Sequence, residues 1–188
     1  MPEFSLNHMT VARLPFAQLL EVARAVEATG VELRTDLGGP LCDGLPPAEA
    51  AARLRAAGLK VPALAELPRF NDWTPARAEE ARWLIALARE LGAPAVALIP
   101  RNDGGGLGNG ERQANLRIAL RDLAPMLAEA GLTGLIEPLG FPSSSLRFKQ
   151  EAADTVSALG ASDRFGLIHD TFHHALAGEE RLFPALTG

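Results

Sequence analysis

Cysteine is all but missing from this chain. Cys42 stands alone, so no internal disulfide framework can form, and such usage suits a reducing compartment. The opening stretch MPEFSLNHMT has no basic segment followed by an apolar one, so no signal peptide is read there. No apolar run approaches the roughly 20 residues that span a bilayer. A basic field is absent too: the net charge is −5 and the pI about 5.4. Only two of the 18 Lys and Arg residues are lysines, Lys60 and Lys149, and the arginines are scattered rather than clustered. These absences predict a cytoplasmic protein with neither a membrane nor a nucleic acid as partner. The glycine signatures of nucleotide binding are also lacking. The residues after the first apolar run, NHMTVARLPF, contain no G-x-G-x-x-G. The Gly-rich NDGGGLGNG (102–110) has no Gly-Lys-Ser/Thr, so it reads as a loop over a strand end and not as a phosphate cradle.

What is present is rhythm. With 188 residues and 47% hydrophobic composition, the chain can build one core, read as a single domain over 1–188. Short apolar runs at 4–7, 30–34, 60–67, 95–100, 133–139 and 165–170 alternate with Ala/Leu/Arg/Glu segments at 15–29, 47–57, 74–91, 112–130 and 147–159. The latter carry apolar residues at helical spacing, such as Leu19, Leu20, Ala23 and Val26. Pro15, Pro47 and Pro75 sit near helix starts, with Thr74 as an N-cap. Gly30, Gly58, Gly92, Gly131 and Gly160 follow helices, where a left-handed C-cap residue belongs. This is α/β repetition with a parallel sheet, closed as a (β/α)8 TIM-type barrel or open and doubly wound.

The strand ends are unusually polar: Asn7 and His8, then Glu32 and Arg34, Glu66, Arg101, Glu137 and Asp170. In parallel α/β folds the C-terminal strand ends bind ligands, so these side chains are expected at one mouth. Three of the four histidines fall within GLIHDTFHH (166–174), right at the last of those ends. By alternation, Gly166, Ile168 and Asp170 share the inner face, as do Thr133, Leu135 and Glu137. Two carboxylates facing one space raise each other's pKa, and a divalent cation such as Mn, Zn, Co or Fe(II) relieves that. Plainer readings stand beside this one. Glu137 can be a solvent-facing acid and Asp170 the N-cap of a following helix. Glu32 and Arg34 can simply pair with each other. His173 and His8 are candidates for ligand contact, whereas His169 and His174 read as helix-face or core residues.

On FSLNHMT, GVELR, LIEPLGFPSSSLRFKQEAADTV and GLIHDTFHHALAG, and on the pattern E-P-x-G…D-[ST]-F-H, the chain resembles the xylose isomerase-like TIM-barrel sugar isomerases and epimerases. Within them it looks most like the inosose (2-keto-myo-inositol) isomerase type. The resemblance implies that Glu137 and Asp170 bind a divalent ion (Mn, Zn, Co, Fe or Mg). It makes Glu137 one of two acid/base glutamates and His173 a substrate contact, and Arg34 and His8 join as substrate contacts from their places at the strand ends; no separate organic cofactor is implied. The substrate is then a keto sugar or keto-cyclitol, placing the chain in carbohydrate or inositol metabolism. In that family a seventh-strand histidine and an eighth-strand glutamate complete the site. Six strands and five complete helices are counted here, whereas a full barrel takes about 250 residues. The expectation is therefore about six of eight βα units, with half an acid/base pair. The chain is read as a fragment of a longer protein, or as a homo-oligomer that buries its open edges. Three rivals remain: an inert barrel piece, lacking metal, that serves as a binding or interaction module; an endonuclease IV-like phosphodiesterase, which would need more histidines and a basic face; and an open sheet with its own pocket.

Overall fold

A computed structural model of the chain describes residues 3–106 and 108–184. Residues 1, 2 and 185–188, and Leu107 in the Gly-rich loop, lie outside that description. Six strands alternate with six α-helices: β1 (Ser5–Asn7), α1 (Phe16–Ala25), β2 (Gly30–Arg34), α2 (Pro47–Ala56), β3 (Leu64–Pro68), α3 (Pro75–Leu91), β4 (Ala95–Ile99), α4 (Asn109–Ala130), β5 (Thr133–Ile136), α5 (Lys149–Ala158), β6 (Phe165–Leu167) and α6 (Thr171–Ala177). The strands form one parallel sheet in chain order, β1 through β6, so each strand lies beside its predecessor. This is the order of a barrel wall, not of a doubly wound sheet whose order reverses at a switch point. Among the described residues, β1 and β6 each pair on one side only.

The helices cover one face of the sheet. Leu19 and Ala23 of α1, Leu84 and Ala88 of α3, and Leu116, Leu120, Leu123 and Leu127 of α4 recur every three to four residues and are buried. They meet Val31 and Leu33 of β2, Val96 and Leu98 of β4, and Ile136 at the end of β5 in one continuous core. Each such Leu, Ile or Val side chain contributes about 1.5–3 kcal/mol on leaving water, and this burial holds the helices on the sheet. On β5 the alternation is confirmed by contact. A Cβ added to Gly134 would lie 2.9 Å from Leu98 and Phe165 among the helix-facing residues, while Gly166 looks onto Leu135 and Thr133 on the other side. That other, inner face carries the polar strand ends.

Most local expectations hold. Thr74 caps α3 by accepting a hydrogen bond from the Arg77 N–H, and Gly58, Gly92, Gly131 and Gly160 are left-handed. Gly30 is a correction: it is the first residue of β2, and Glu27 (φ 59°) makes the left-handed turn after α1. Glycine is needed at 30 for a different reason, since a Cβ there would sit 2.6 Å from the Lys60 carbonyl oxygen. The helix count is also corrected, because residues 171–177 form a sixth short helix with Gly178 as its left-handed cap.

Candidate metal and proton-transfer site

Glu137 is delivered by β5. Its N–H donates to the Leu98 carbonyl (3.1 Å), extending the ladder one residue past the strand, and its side chain falls on the inner face with Thr133 and Leu135. Asp170 and His173 come from the next unit. The Ile168 N–H bonds the Ile136 carbonyl (2.8 Å), the chain turns, and α6 starts immediately after Asp170. One Asp170 oxygen, Oδ1, accepts from the backbone N–H groups of Phe172 (2.7 Å) and His173 (3.1 Å). Asp170 is thus an N-cap, as its plainer reading held, and its second oxygen is not used in that cap. His173, one turn on, points its Nε2 at Glu137 Oε1 across 3.9 Å.

Ligand atoms of Glu137, Asp170 and His173 lie within 4.8 Å of one another. Atoms that share one first-row divalent ion stand about 3–4 Å apart, so small side-chain rotations suffice to bring these three onto a common ion. The electrostatics favour a cation there. Burial pushes the Glu137 carboxyl up to about 7, and the negative charges of Asp170, Glu32 and Glu66 add to this, with only Arg34 opposing. His173 Nδ1 is buried without a hydrogen-bond partner, and its ring is braced edge-on by Phe141 (5.2 Å) and Phe172 (5.3 Å). A carboxylate–carboxylate–imidazole donor set with no cation beside Glu137 fits a borderline divalent ion.

Arg34 and His8 are placed on the far side of the mouth. Arg34 does not pair with Glu32. Its Nε and Nη2 grip Asp36 (2.8 and 2.7 Å), and Nη2 also donates to Glu66 (2.8 Å). Glu32 instead accepts from the Asn7 side chain at 2.7 Å. His8 opens a 3₁₀ turn after β1 and is only 9% exposed. Burial lowers its pKa, and its Nδ1 has no partner. It lines a tight cavity of about 50 Å³ with Arg34, Cys42 and Asp43, apart from the Glu137 cluster. Arg101 is engaged elsewhere, bonding Asp103 at 2.6 Å. His174 is buried with its Nδ1 3.1 Å from the Lys149 ammonium, and His169 meets the His174 ring edge-on at 5.3 Å, so both pack within the fold. Sequence reasoning missed Phe141, whose only signal was its place right after E-P-L-G. It also missed Asn71, a buried side chain whose Nδ2 donates to Ser145 Oγ and whose Oδ1 accepts from the Arg101 N–H.

A sequence model of the xylose isomerase-like TIM barrel matches residues 20–188. The chain belongs to the xylose isomerase-like TIM-barrel family. No curated protein matches it. Among solved structures, a xylose isomerase domain-containing protein from Salmonella typhimurium LT2 is 28% identical with a TM-score of 0.86, over 94% of this chain and 63% of that one. An IolI protein with a bound zinc atom is 19% identical with a TM-score of 0.85, covering 94% of this chain and 66% of its own. An L-ribulose 3-epimerase is 20% identical with a TM-score of 0.76, over 94% and 63% of the two chains. These last two identities show the fold alone. The chain spans 63% of the length of the Salmonella xylose isomerase-like protein. Among the described residues no helix is long and apolar enough to cross a membrane.

Proposed function

We propose that this chain carries part of the active site of a sugar or cyclitol isomerase or epimerase, acting on a keto sugar or keto-cyclitol such as an inosose by moving a proton next to the carbonyl. The observation that supports it most is the convergence of Glu137, Asp170 and His173, whose ligand atoms lie within 4.8 Å of one another, with Glu137 placed to take and return a proton. Glu137 and Asp170 would hold a divalent ion, with His173 beside them. Bound there, such an ion supplies Lewis acidity, polarising substrate oxygens so that the C–H between them becomes acidic. Glu137 can lend one oxygen to this role and keep the other for the proton. Asp170, fixed by its cap, holds negative charge in place, and His173 Nε2 faces the same space to bond a substrate oxygen. Arg34 and His8 are proposed to meet the far end of the substrate. The second glutamate of the family's acid/base pair has no counterpart among the described strands, which is why the activity of the whole protein is part of the proposal. The open edges of β1 and β6 would be completed by further strands or by a second copy, and the acidic balance disfavours nucleic acid as a partner.

A phosphodiesterase of the endonuclease IV kind would need more histidines and a basic face, whereas the chain has four histidines and a net charge of −5. The test has two parts. Zinc or manganese is titrated into the chain, and exchange of the substrate α-proton is followed by NMR in D2O with keto sugars and an inosose. Exchange by the wild type, abolished in Glu137→Gln at saturating metal, is the expected result. Exchange retained in Glu137→Gln overturns the assignment. Metal uptake without any exchange leaves a binding module in its place.

A further inference from the structure

We propose that Gly140 and Arg147 are positioning residues that clamp α6 against the loop after β5, and so set the spacing of Glu137 from Asp170 and His173; its consequence for metal binding rests on reading that cluster as a metal site. Glu137 and the Asp170–His173 pair belong to different βα units. The sheet ties those units together only as far as the Ile168–Ile136 hydrogen bond, so beyond it another contact must fix the gap.

Two contacts do so. Gly140 lies backbone-on-backbone against α6: a Cβ there would be 2.3 Å from the His173 carbonyl oxygen, 2.6 Å from Leu176 Cβ and 3.0 Å from the Ala177 nitrogen. Gly140 is not among the glycines with positive φ, so its backbone would accept alanine; what demands glycine is the approach of the helix. Arg147 then bridges the two elements. Its Nε donates to the Gly140 carbonyl (3.0 Å) and its Nη2 to the Leu176 carbonyl (3.1 Å), one of the α6 C-terminal oxygens that lack an intrahelical partner. The guanidinium is also a cation at the negative end of a helix. The loop between the two residues is closed on itself, with the Leu139 N–H bonding the Leu146 carbonyl at 3.1 Å, so Gly140 and Arg147 act on one unit. Phe141, next in line, carries the contact to the metal-facing side by packing on the His173 ring. This gives the glycine and the loop of E-P-L-G…L-R a physical role: they hold a helix at backbone distance from the strand end that bears the acid.

The test uses the 188-residue chain with Gly140→Ala, Arg147→Ala and Arg147→Lys, and Leu123→Ala in the distant α4 core as a stability control. Zinc affinity is measured by calorimetry, and the nuclear Overhauser contact between the Phe141 and His173 rings is measured without metal. Gly140→Ala is expected to weaken zinc at least about tenfold and to lose the ring contact, as supports around a metal site typically do when removed. Arg147→Ala should move both in the same direction, and Arg147→Lys, which can reach one carbonyl but not both, should fall between it and the wild type. Leu123→Ala should lower Tm and change neither readout. Gly140→Ala with wild-type zinc affinity and the ring contact intact overturns the clamp. If Gly140→Ala does not fold, Arg147→Ala, which adds no atom, decides by the same criteria. If the wild type takes up no zinc, the metal reading fails on its own, and the clamp is then judged by the ring contact: kept in the variants, it is refuted; lost, it stands.

Discussion

Glu66 on β3 and Glu137 after β5 are both glutamates at C-terminal strand ends, with 14% and 19% of their side chains exposed. Burial raises the pKa of each. Around Glu66 the chain has supplied its own cation, since Arg34 donates to it at 2.8 Å and grips Asp36 as well. On the same side Glu32 is answered by the Asn7 amide. Around Glu137 the largest charge effect comes from Asp170, which adds repulsion, and the His173 imidazole stands 3.9 Å away. One side of the mouth is electrostatically closed and the other is open. A closed pair mainly holds the strands together, whereas an open carboxylate with donors converging beside it is what binding and proton transfer use.

The largest expected effect comes from breaking the closed side. Arg34→Ala leaves Glu66 and Asp36 partly buried without their cation and should cost about 2–3 kcal/mol in urea unfolding. Glu137→Gln, on the open side, should cost nothing near pH 4.5, where the native carboxyl is protonated, and should be more stable than the wild type at neutral pH and above. Equal losses from the two variants would erase the contrast. Next in size is a pH effect. Glu137 titrates at about 7 in the fold against 4.5 in a free chain. Between those values the folded state holds the extra proton, so the stability present below about pH 4.5 is lost as pH rises through about 7. After screening this is on the order of 2 kcal/mol. Other groups titrate in the same interval, so the quantity to measure is the difference between wild type and Glu137→Gln in metal-free unfolding at about pH 5 and about pH 8. A parallel pH dependence of the two proteins would show that Glu137 is not the group. The smallest effect separates the two roles of Asp170. Asp170→Asn keeps the cap and loses the charge; Asp170→Ala loses both and should be about 1 kcal/mol less stable in thermal melts, with zinc weakened in each. If Asn and Ala melt alike, the cap contributes nothing.

Much of the frame was legible in local sequence. The six apolar runs, the helical spacing in between and the Thr74 cap each depend on residues a few positions apart, and each appears in the fold. The candidate pair Glu137 and Asp170 was legible for the same reason, because alternation along a strand assigns a face without knowing the neighbours. Gly30 was misread because a glycine required by an approaching chain looks, in sequence, like one required by a turn. The sixth helix, read in sequence only as the segment that Asp170 would cap, closes after seven residues, barely more than the nucleating turn, and it persists through that cap and its packing.

Periodicity and punctuation were therefore enough to write down the βα units and the faces on which the acids lie, since these follow from bonds and sterics within a unit. Which acid is neutralised and which is left open was decided only when the units came together. The partners of Arg34 are two and 32 residues away, and Asn7 reaches 25 residues to Glu32. The gap between Glu137 and His173 is held by Gly140 and Arg147 across units. Local sequence sets direction along a strand; charge balance and backbone approach depend on distances between strands, and those exist only in the packed sheet.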